Sequence, residues 1–337
     1  MTLHLTEILL TTFRNLFYSK FNVDPEHIVP IKEGASRRQI FRISAGDISC
    51  IGIYNENEKE NIAFIEFTKA FLNHGLNVPD IYAISKDMKY YIEEDLGDVT
   101  LYDLSGTIKN SDILRLYEKA LTELLRFQIE MKDNLDYDLC YETRVFDKKQ
   151  LGADLAKFDN YYLKQFGIVI DEKLTETAVL TVSKEFLSED NSFFTYRDFQ
   201  PRNIMVKGED LYFIDYQSGR KGPLLYDLVS FLYSGSINLN EQGREYLLNY
   251  YLKCLTNYVF FSRKIMKDKF YYVAVARLLQ VLGSYGFTYK EKKDNNILSK
   301  IPKALKNLKS VSGKIRDDRI KKFIDQLTSQ KKFLNIN

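Results

Sequence analysis

Hydrophobic positions change their period along this chain. In "MTLHLTEILLTTFRNLFYSKF", Leu5, Ile8, Leu9, Phe13, Leu16 and Phe17 recur near the spacing of one helical face, which predicts an amphipathic helix. From Ile28 to Asp95 the pattern breaks into short runs rich in Ile and Tyr, "HIVPI", "RQIFRIS", "ISCIGIY", "IYAIS" and "YYIEED", separated by turn residues. Such runs predict a small sheet. One longer stretch among them, "NEKENIAFIEFTKAFLNHG", has helical spacing, with Ile62, Ile65, Phe67 and Leu72 available for a buried face and Gly75 at its stop. After "DLGD" helical periodicity takes over. "SDILRLYEKALTELLRFQIEMK" has Ser111 as a candidate cap, and further helices are expected near 148–166, 172–187, 223–234, 241–258, 264–284 and 313–329. One pair of strand-like runs, "NIMVKGEDLYFIDY", interrupts them and predicts a hairpin turning at Lys207-Gly208-Glu209.

The change from sheet to helix divides the chain into 1–97 and 98–337, and 337 residues suffice for two units with substantial cores. A net charge of +2 gives no footprint for nucleic acid. Cys50, Cys140 and Cys254 are odd in number and far apart, as expected of reduced thiols in a cytoplasmic protein. With three histidines, none near a cysteine, a Cys/His metal cluster is not expected. No run of about 18 apolar residues predicts a membrane span, and the N-terminal stretch lacks the basic start and apolar core of a signal peptide. The lysine-rich segment after Phe287 ("KEKK", "KALKNLK") reads as a solvated helix face, with anion binding as the alternative.

Candidate chemistry concentrates in "FFTYRDFQPRNIMVKGEDLYFIDYQSG", Phe193–Gly219, where Asp198, Asn203 and Asp215 stand among strand-like residues. Phosphoryl transfer needs a carboxylate to orient a hydroxyl and ligands that hold magnesium against nucleotide phosphates. Magnesium keeps several waters, so one or two carboxylates and an amide suffice. A loop from Asp198 to Asn203 followed by a tight hairpin ending at Asp215 can hold such groups still. Taken singly, each aspartate also reads as a turn acid or a cap.

"YRDFQPRN" resembles the catalytic loop of the protein-kinase superfamily, H-R-D-L-x-x-x-N, with Arg197, Asp198, Pro201 and Asn203 in place. "IDYQSG" is similar to its D-F-G element. The short gap between the aspartates, and "GPLLYDLVS" after them, resemble the aminoglycoside phosphotransferase and choline kinase-like branch. "RDFQPRNIM", "FIDYQSGRKGPLLYDLVSFLY", "IEEDLGDVTL" and "ARLLQVLGSYGF" are similar to the subgroup of bacterial N-acetylmuramate/N-acetylglucosamine 1-kinases, over most of the chain.

This resemblance implies an α+β, two-lobed protein-kinase-like fold, with a small antiparallel-sheet N-lobe and a larger, mainly helical C-lobe. It implies a kinase using ATP and Mg2+, with Asp198 orienting the acceptor hydroxyl of a small molecule, Asn203 and Asp215 holding magnesium, and Asp227 bracing the catalytic loop or stabilising its own helix end. Gln200 stands where many kinases carry a lysine, as a donor near the transferred phosphate or a solvated loop residue. Gln217 replaces the usual glycine, and Tyr196 the usual, mainly structural, histidine. Adenine would meet backbone groups around Glu94, Asp95 and Leu96. The phosphate-covering loop has one glycine, Gly34, with Ser36, Arg37 and Arg38 as further donors. The third strand ends at Tyr54 and Asn55 without the family's lysine, which leaves Glu66 as a helix acid without its partner and Arg37 or Arg38 as the substitute charge. Arg277 is a candidate for an anionic group of the acceptor or for a structural ion pair. The acceptor expected is an N-acetylated amino sugar; the alternatives are an amino alcohol, an aminoglycoside, or a pseudokinase-like module that binds nucleotide or sugar.

Overall fold

The computed structural model describes residues 3–31, 38–237 and 239–330. It forms two compact units, neither contiguous in sequence: Met1–Leu104, Asp133–Arg144 and Arg202–Gly219 make the first, and Ser105–Lys132, Val145–Pro201 and Arg220–Asn337 the second.

The first unit is built on an antiparallel sheet of β1 (His27–Pro30), β2 (Gln39–Ala45), β3 (Ile48–Tyr54), β4 (Ile81–Ile84) and β5 (Tyr90–Glu94), in the order β1-β2-β3-β5-β4. These are the five runs expected from the Ile- and Tyr-rich pattern. Side chains alternate across a strand, and each face of β5 has its own cover. Tyr90 and Ile92 join Ile43, Cys50 and Tyr54 against Leu9, Phe13, Leu16 and Phe17 of helix α1 (Leu3–Phe21). Gly52 of β3 allows this approach, because a Cβ there would stand 2.7 Å from Ile43 Cδ1 and 2.9 Å from Phe13. Tyr91, on the alternate face, stacks on Phe64 of helix α2 (Glu58–Asn73), ring centroids 5.3 Å apart. The buried stripe of α2 runs through Phe64, Phe67 and Phe71, and Leu72, expected to be inside, is exposed.

The hairpin β7 (Ile204–Lys207) and β8 (Asp210–Phe213) belongs to this same unit. It follows β6 (Phe193–Thr195) in the chain and turns at Gly208, whose φ of 63° suits glycine. Backbone bonds hold it: Phe213 N–H donates to Asn77 O at 2.9 Å and Val206 N–H to Val99 O at 2.9 Å. A sequence division at 97 cannot anticipate such non-local bonds. The short helix α3 (Leu101–Leu104) packs on β7.

The second unit is mainly helical: α4 (Asn110–Glu130), α5 (Lys148–Phe158), α6 (Glu172–Leu187), α7 (Leu224–Leu232), α8 (Glu241–Leu255), α9 (Arg263–Glu291), α10 (Ile301–Ser312) and α11 (Asp318–Thr328), with β6 paired to β9 (Arg220–Gly222). Lys109, not Ser111, occupies the N-cap of α4; Ser111 sits inside the first turn. The lysine-rich tail includes α10, which buries Ile301, Leu305, Leu308 and Val311 and exposes Lys303, Lys306 and Lys309, the solvated face expected of "KALKNLK". Among the described residues no helix is long and apolar enough to cross a membrane.

The long helix α9 lies tightly against α5 and the π-helical turn Asp159–Lys164 that continues it. A Cβ on Gly283 would stand 2.6 Å from Phe158 N, and one on Gly286 would overlap the Tyr161 carbonyl oxygen. Backbone cannot yield as a side-chain tip can. Gly286→Ala is therefore expected to destabilise the protein by about 1–3 kcal/mol, read as a lower midpoint in thermal or urea unfolding; an unchanged midpoint would mean that α9 can shift away without cost.

Candidate active site

The segment that resembles a catalytic loop begins where β6 ends. Asp227, in the first turn of α7 and 0% exposed, accepts from Tyr196 N–H at 2.7 Å and from Arg197 N–H at 2.9 Å, one on each carboxylate oxygen. Arg197 has φ 80°, a left-handed conformation that a non-glycine residue keeps only when its surroundings impose it. The two bonds to Asp227 fix its amide side. Its guanidinium lies 5.0 Å from the Phe146 ring centroid and 5.6 Å from that of Tyr226, with Nη1 3.9 Å from Asp154. Tyr196, buried in the position of the motif's histidine, meets Phe127 and Phe199 edge-on at 5.8 and 5.4 Å. Asp198 follows this locked turn and is partly exposed. Gln200 Oε1 accepts from Ser234 Oγ at 3.4 Å.

In the first unit Asn203 closes a short 3-10 turn, Pro201–Asn203, and its carbonyl accepts from Ile214 N–H at 3.1 Å. That bond ties the start of the hairpin to its end. Asn203 Nδ2 stands 3.4 Å from Asp215 Oδ2. Asp215, at φ 68°, is followed by Tyr216, which is fully buried. Tyr216 stacks on Phe64 at 4.8 Å, meets Phe71 edge-on at 4.9 Å and hydrogen-bonds Thr68 through its hydroxyl. Gln217 donates from Nε2 to Asp215 Oδ1 at 2.9 Å. Arg38 Nη2 also binds Asp215 Oδ1, and Arg38 Nε lies 3.7 Å from Glu60 Oε1. Asn203, Asp215, Gln217 and Arg38, proposed separately from sequence, are thus brought together.

Other expected residues stand apart from that cluster. Gly34, Ser36 and Arg37 lie outside the described residues. Glu94 pairs with Lys207 at 2.6 Å, Asp95 with Arg42 at 2.7 Å, and Leu96 is buried. Their side chains are engaged structurally, and Asp95 also receives Ser49 Oγ and Gly97 N–H. Arg277 donates from Nε to Ser230 Oγ at 2.9 Å and stands 5.4 Å over Tyr226, contacts that pack α9 against α7. Glu66 pairs with Lys69 at 2.7 Å on an exposed side of α2. The acid of α2 near Arg38 is Glu60, one turn before Phe64 on the stripe that Phe64, Phe67 and Phe71 define. That stripe is the signal that could have found it.

Burial pushes the Glu93 carboxyl up to about 8 despite the pull of Arg38. The Asp227 carboxyl is likewise pushed up to about 7 by burial, against the opposing effects of the Tyr196 and Arg197 amides, Gln128 and the Arg197 charge.

A metal set can be tested on the donors. Among the described residues no group of three or more His, Cys, Asp and Glu could hold a metal. Asp215 with the neighbouring amide Asn203 offers hard oxygen donors alone, the chemistry of magnesium, which relies on waters and phosphates for its other ligands. Gln217, 5% exposed, keeps a buried Oε1 with no hydrogen-bond partner, an acceptor suited to a metal-bound water. These residues fit magnesium.

The match to known proteins agrees with this geometry. Residues 27–261 match the phosphotransferase enzyme family APH, and the chain belongs to that family. It is a kinase with the protein-kinase-like α+β fold. The N-acetylmuramate/N-acetylglucosamine kinase of Pseudomonas aeruginosa is 26% identical over 238 residues, covering 69% of this chain and 68% of that protein. Choline kinase LicA from Streptococcus pneumoniae superposes with TM-score 0.60 at 15% identity, covering 91% of this chain and 99% of LicA. The ADP-bound aminoglycoside phosphotransferase APH(2'')-Ib superposes with TM-score 0.57 at 13% identity, covering 89% and 99%.

The raised Asp227 carboxyl carries a stability signature. It sits at about 7 when folded against an ordinary 3.8, so between those values the folded chain holds a proton that the unfolded chain has released. The stability this group contributes is full below the unfolded value, falls as pH rises through the window and is constant above the folded value. Asp227→Asn removes that dependence. The stability of the variant relative to wild type, from urea unfolding at a series of pH values, is expected to rise between about pH 4 and 7 and then level off. A difference that stays flat would mean that Asp227 is ionised throughout.

Proposed function

We propose that this protein is an ATP- and magnesium-dependent kinase that phosphorylates the anomeric hydroxyl of an N-acetylated amino sugar, N-acetylmuramate or N-acetylglucosamine. The observation that carries the chemistry is the Asp227-held turn at Arg197, which fixes the backbone immediately before Asp198. A carboxylate on so constrained a backbone suits the orienting of a hydroxyl for in-line attack. The acceptor is supported by the name of the Pseudomonas aeruginosa relative.

In this reading Asp198 accepts a hydrogen bond from the anomeric hydroxyl and takes its proton. The hydroxyl oxygen bonds to the γ-phosphorus as the bond from that phosphorus to the bridging oxygen breaks, and ADP leaves. Asp215 and Asn203 hold magnesium, which, when bound, neutralises charge on the phosphate oxygens. Gln217 orders Asp215 through its Nε2. Backbone groups around Glu94–Leu96 meet the adenine.

A nucleotide-binding module without turnover is the second reading, favoured by the occupation of Asp215 by Arg38. One assay separates the two. With ATP, magnesium and each sugar, phosphorus NMR is expected to show a sugar 1-phosphate, with little product from kanamycin-like aminoglycosides, and excess chelator is expected to abolish it. Asp198→Asn should lower turnover by about 10²–10⁴ with the fold intact. Aminoglycoside product without sugar product would overturn the acceptor, and nucleotide binding without product from a broad panel would establish the binding module.

A further inference from the structure

The family's strand lysine is missing, and the sheet register points to what replaces it. Gln39 of β2 pairs with Tyr54 at the end of β3, so Arg38 stands across from Asn55, just past the end of the third strand. A cation thus stands just before the neighbouring strand, level with the end of β3. Its side chain is held inside, 15% exposed, with Glu60 of α2 at 3.7 Å. Among the described residues the other candidates at this level are engaged or exposed: Tyr54 hydrogen-bonds Glu56, and Lys59 is exposed. Arg38 therefore has both attributes of a phosphate-binding cation in such a site, a fixed place at the sheet's end and a helix carboxylate that orients it.

Its present partner adds a second point. Arg38 binds Asp215 Oδ1, the carboxylate assigned above to magnesium. One carboxylate oxygen cannot serve a guanidinium and a metal equally well. We propose, resting on the kinase reading above, that Arg38, positioned by Glu60, is the nucleotide-phosphate cation of this protein, and that it rests on Asp215 until a metal-nucleotide draws it away. The guanidinium fork then binds phosphate oxygens, for which its planar paired donors are suited, and Asp215 is freed for the metal. Glu60 is a positioning residue, since it acts through Arg38.

The test is nucleotide binding, measured without acceptor by titration calorimetry with ATP, with and without magnesium, alongside KM values for ATP and for sugar. Arg38→Gln is expected to weaken Mg-ATP binding and raise the KM for ATP by about 10- to 100-fold, the loss expected for a charged hydrogen bond. The KM for sugar should stay within about twofold, and Arg38→Lys should recover part of the loss because it restores the charge. Glu60→Gln should show a smaller loss of the same kind. If Arg38 merely balances the charge of Asp215, Arg38→Gln would free that carboxylate and leave Mg-ATP affinity equal or tighter, and the proposal falls. If Arg38→Gln proves unfolded by circular dichroism, Arg38→Lys and Glu60→Gln decide: wild-type ATP affinity in both overturns the proposal, and a graded loss supports it. Wild-type protein that binds ATP but phosphorylates no sugar removes the acceptor assignment while this comparison still decides on Arg38; wild-type protein that binds no ATP overturns both.

Discussion

Two backbone N–H groups aimed at one carboxylate in a dry interior set the geometry of the turn that leads into Asp198. Burial makes the Asp227 charge costly and pushes its carboxyl up, and the amides of Tyr196 and Arg197 oppose that shift. The same two bonds hold Arg197 in a left-handed conformation that its own sterics disfavour. The buried carboxylate is met by backbone donors, which cannot rotate away, and the left-handed turn by an acceptor shielded from water. Gln128 extends the arrangement, linking the Leu224 carbonyl and the Tyr251 hydroxyl across α4, α7 and α8.

The other half of the motif is fixed by aromatic packing. Tyr216 fills the space between Phe64 and Phe71, and its hydroxyl is bound by Thr68 of the same helix. A ring anchored at three points leaves Asp215, its predecessor, little freedom, and this is the second residue of the motif with positive φ. Asp198–Asn203 runs along the chain from one unit into the other, with its first residue in the helical unit and its last in the sheet unit. Each end is thus held by a different core.

Charge placement follows from these constraints. Glu60, Asp215 and Glu93 surround one guanidinium on the α2 face of the sheet. Burial raises Glu93 towards its neutral form, and the direct contacts of Arg38 are to Asp215 and Glu60. In the proposal above, a nucleotide would bring phosphate to the cation and metal to the carboxylate, so that both exchange partners without leaving a bare charge inside.

The sequence by itself determined most element types and the candidate groups for the chemistry. Five Ile- and Tyr-rich runs became five strands because strict turn residues bound them, and the periodicity of α4 to α9 became helices because one apolar face was available to each. Asn203 and Asp215 were legible as neighbours because the short hairpin between them returns the chain to its start. The stripe through Phe64, Phe67 and Phe71 was also present in the sequence, but which of two overlapping apolar stripes faces inward depends on what lies opposite, and Tyr91 and Tyr216 are distant in the chain. Only tertiary structure decided that hairpin 204–213 joins the sheet unit, through bonds to Asn77 and Val99, and that Glu60 rather than Glu66 stands beside Arg38. Strand register decided that Arg38 lies level with the end of the third strand. Such pairings join residues tens to hundreds of positions apart, and hydrogen-bond register and side-chain packing between distant segments leave no periodic trace in either segment alone.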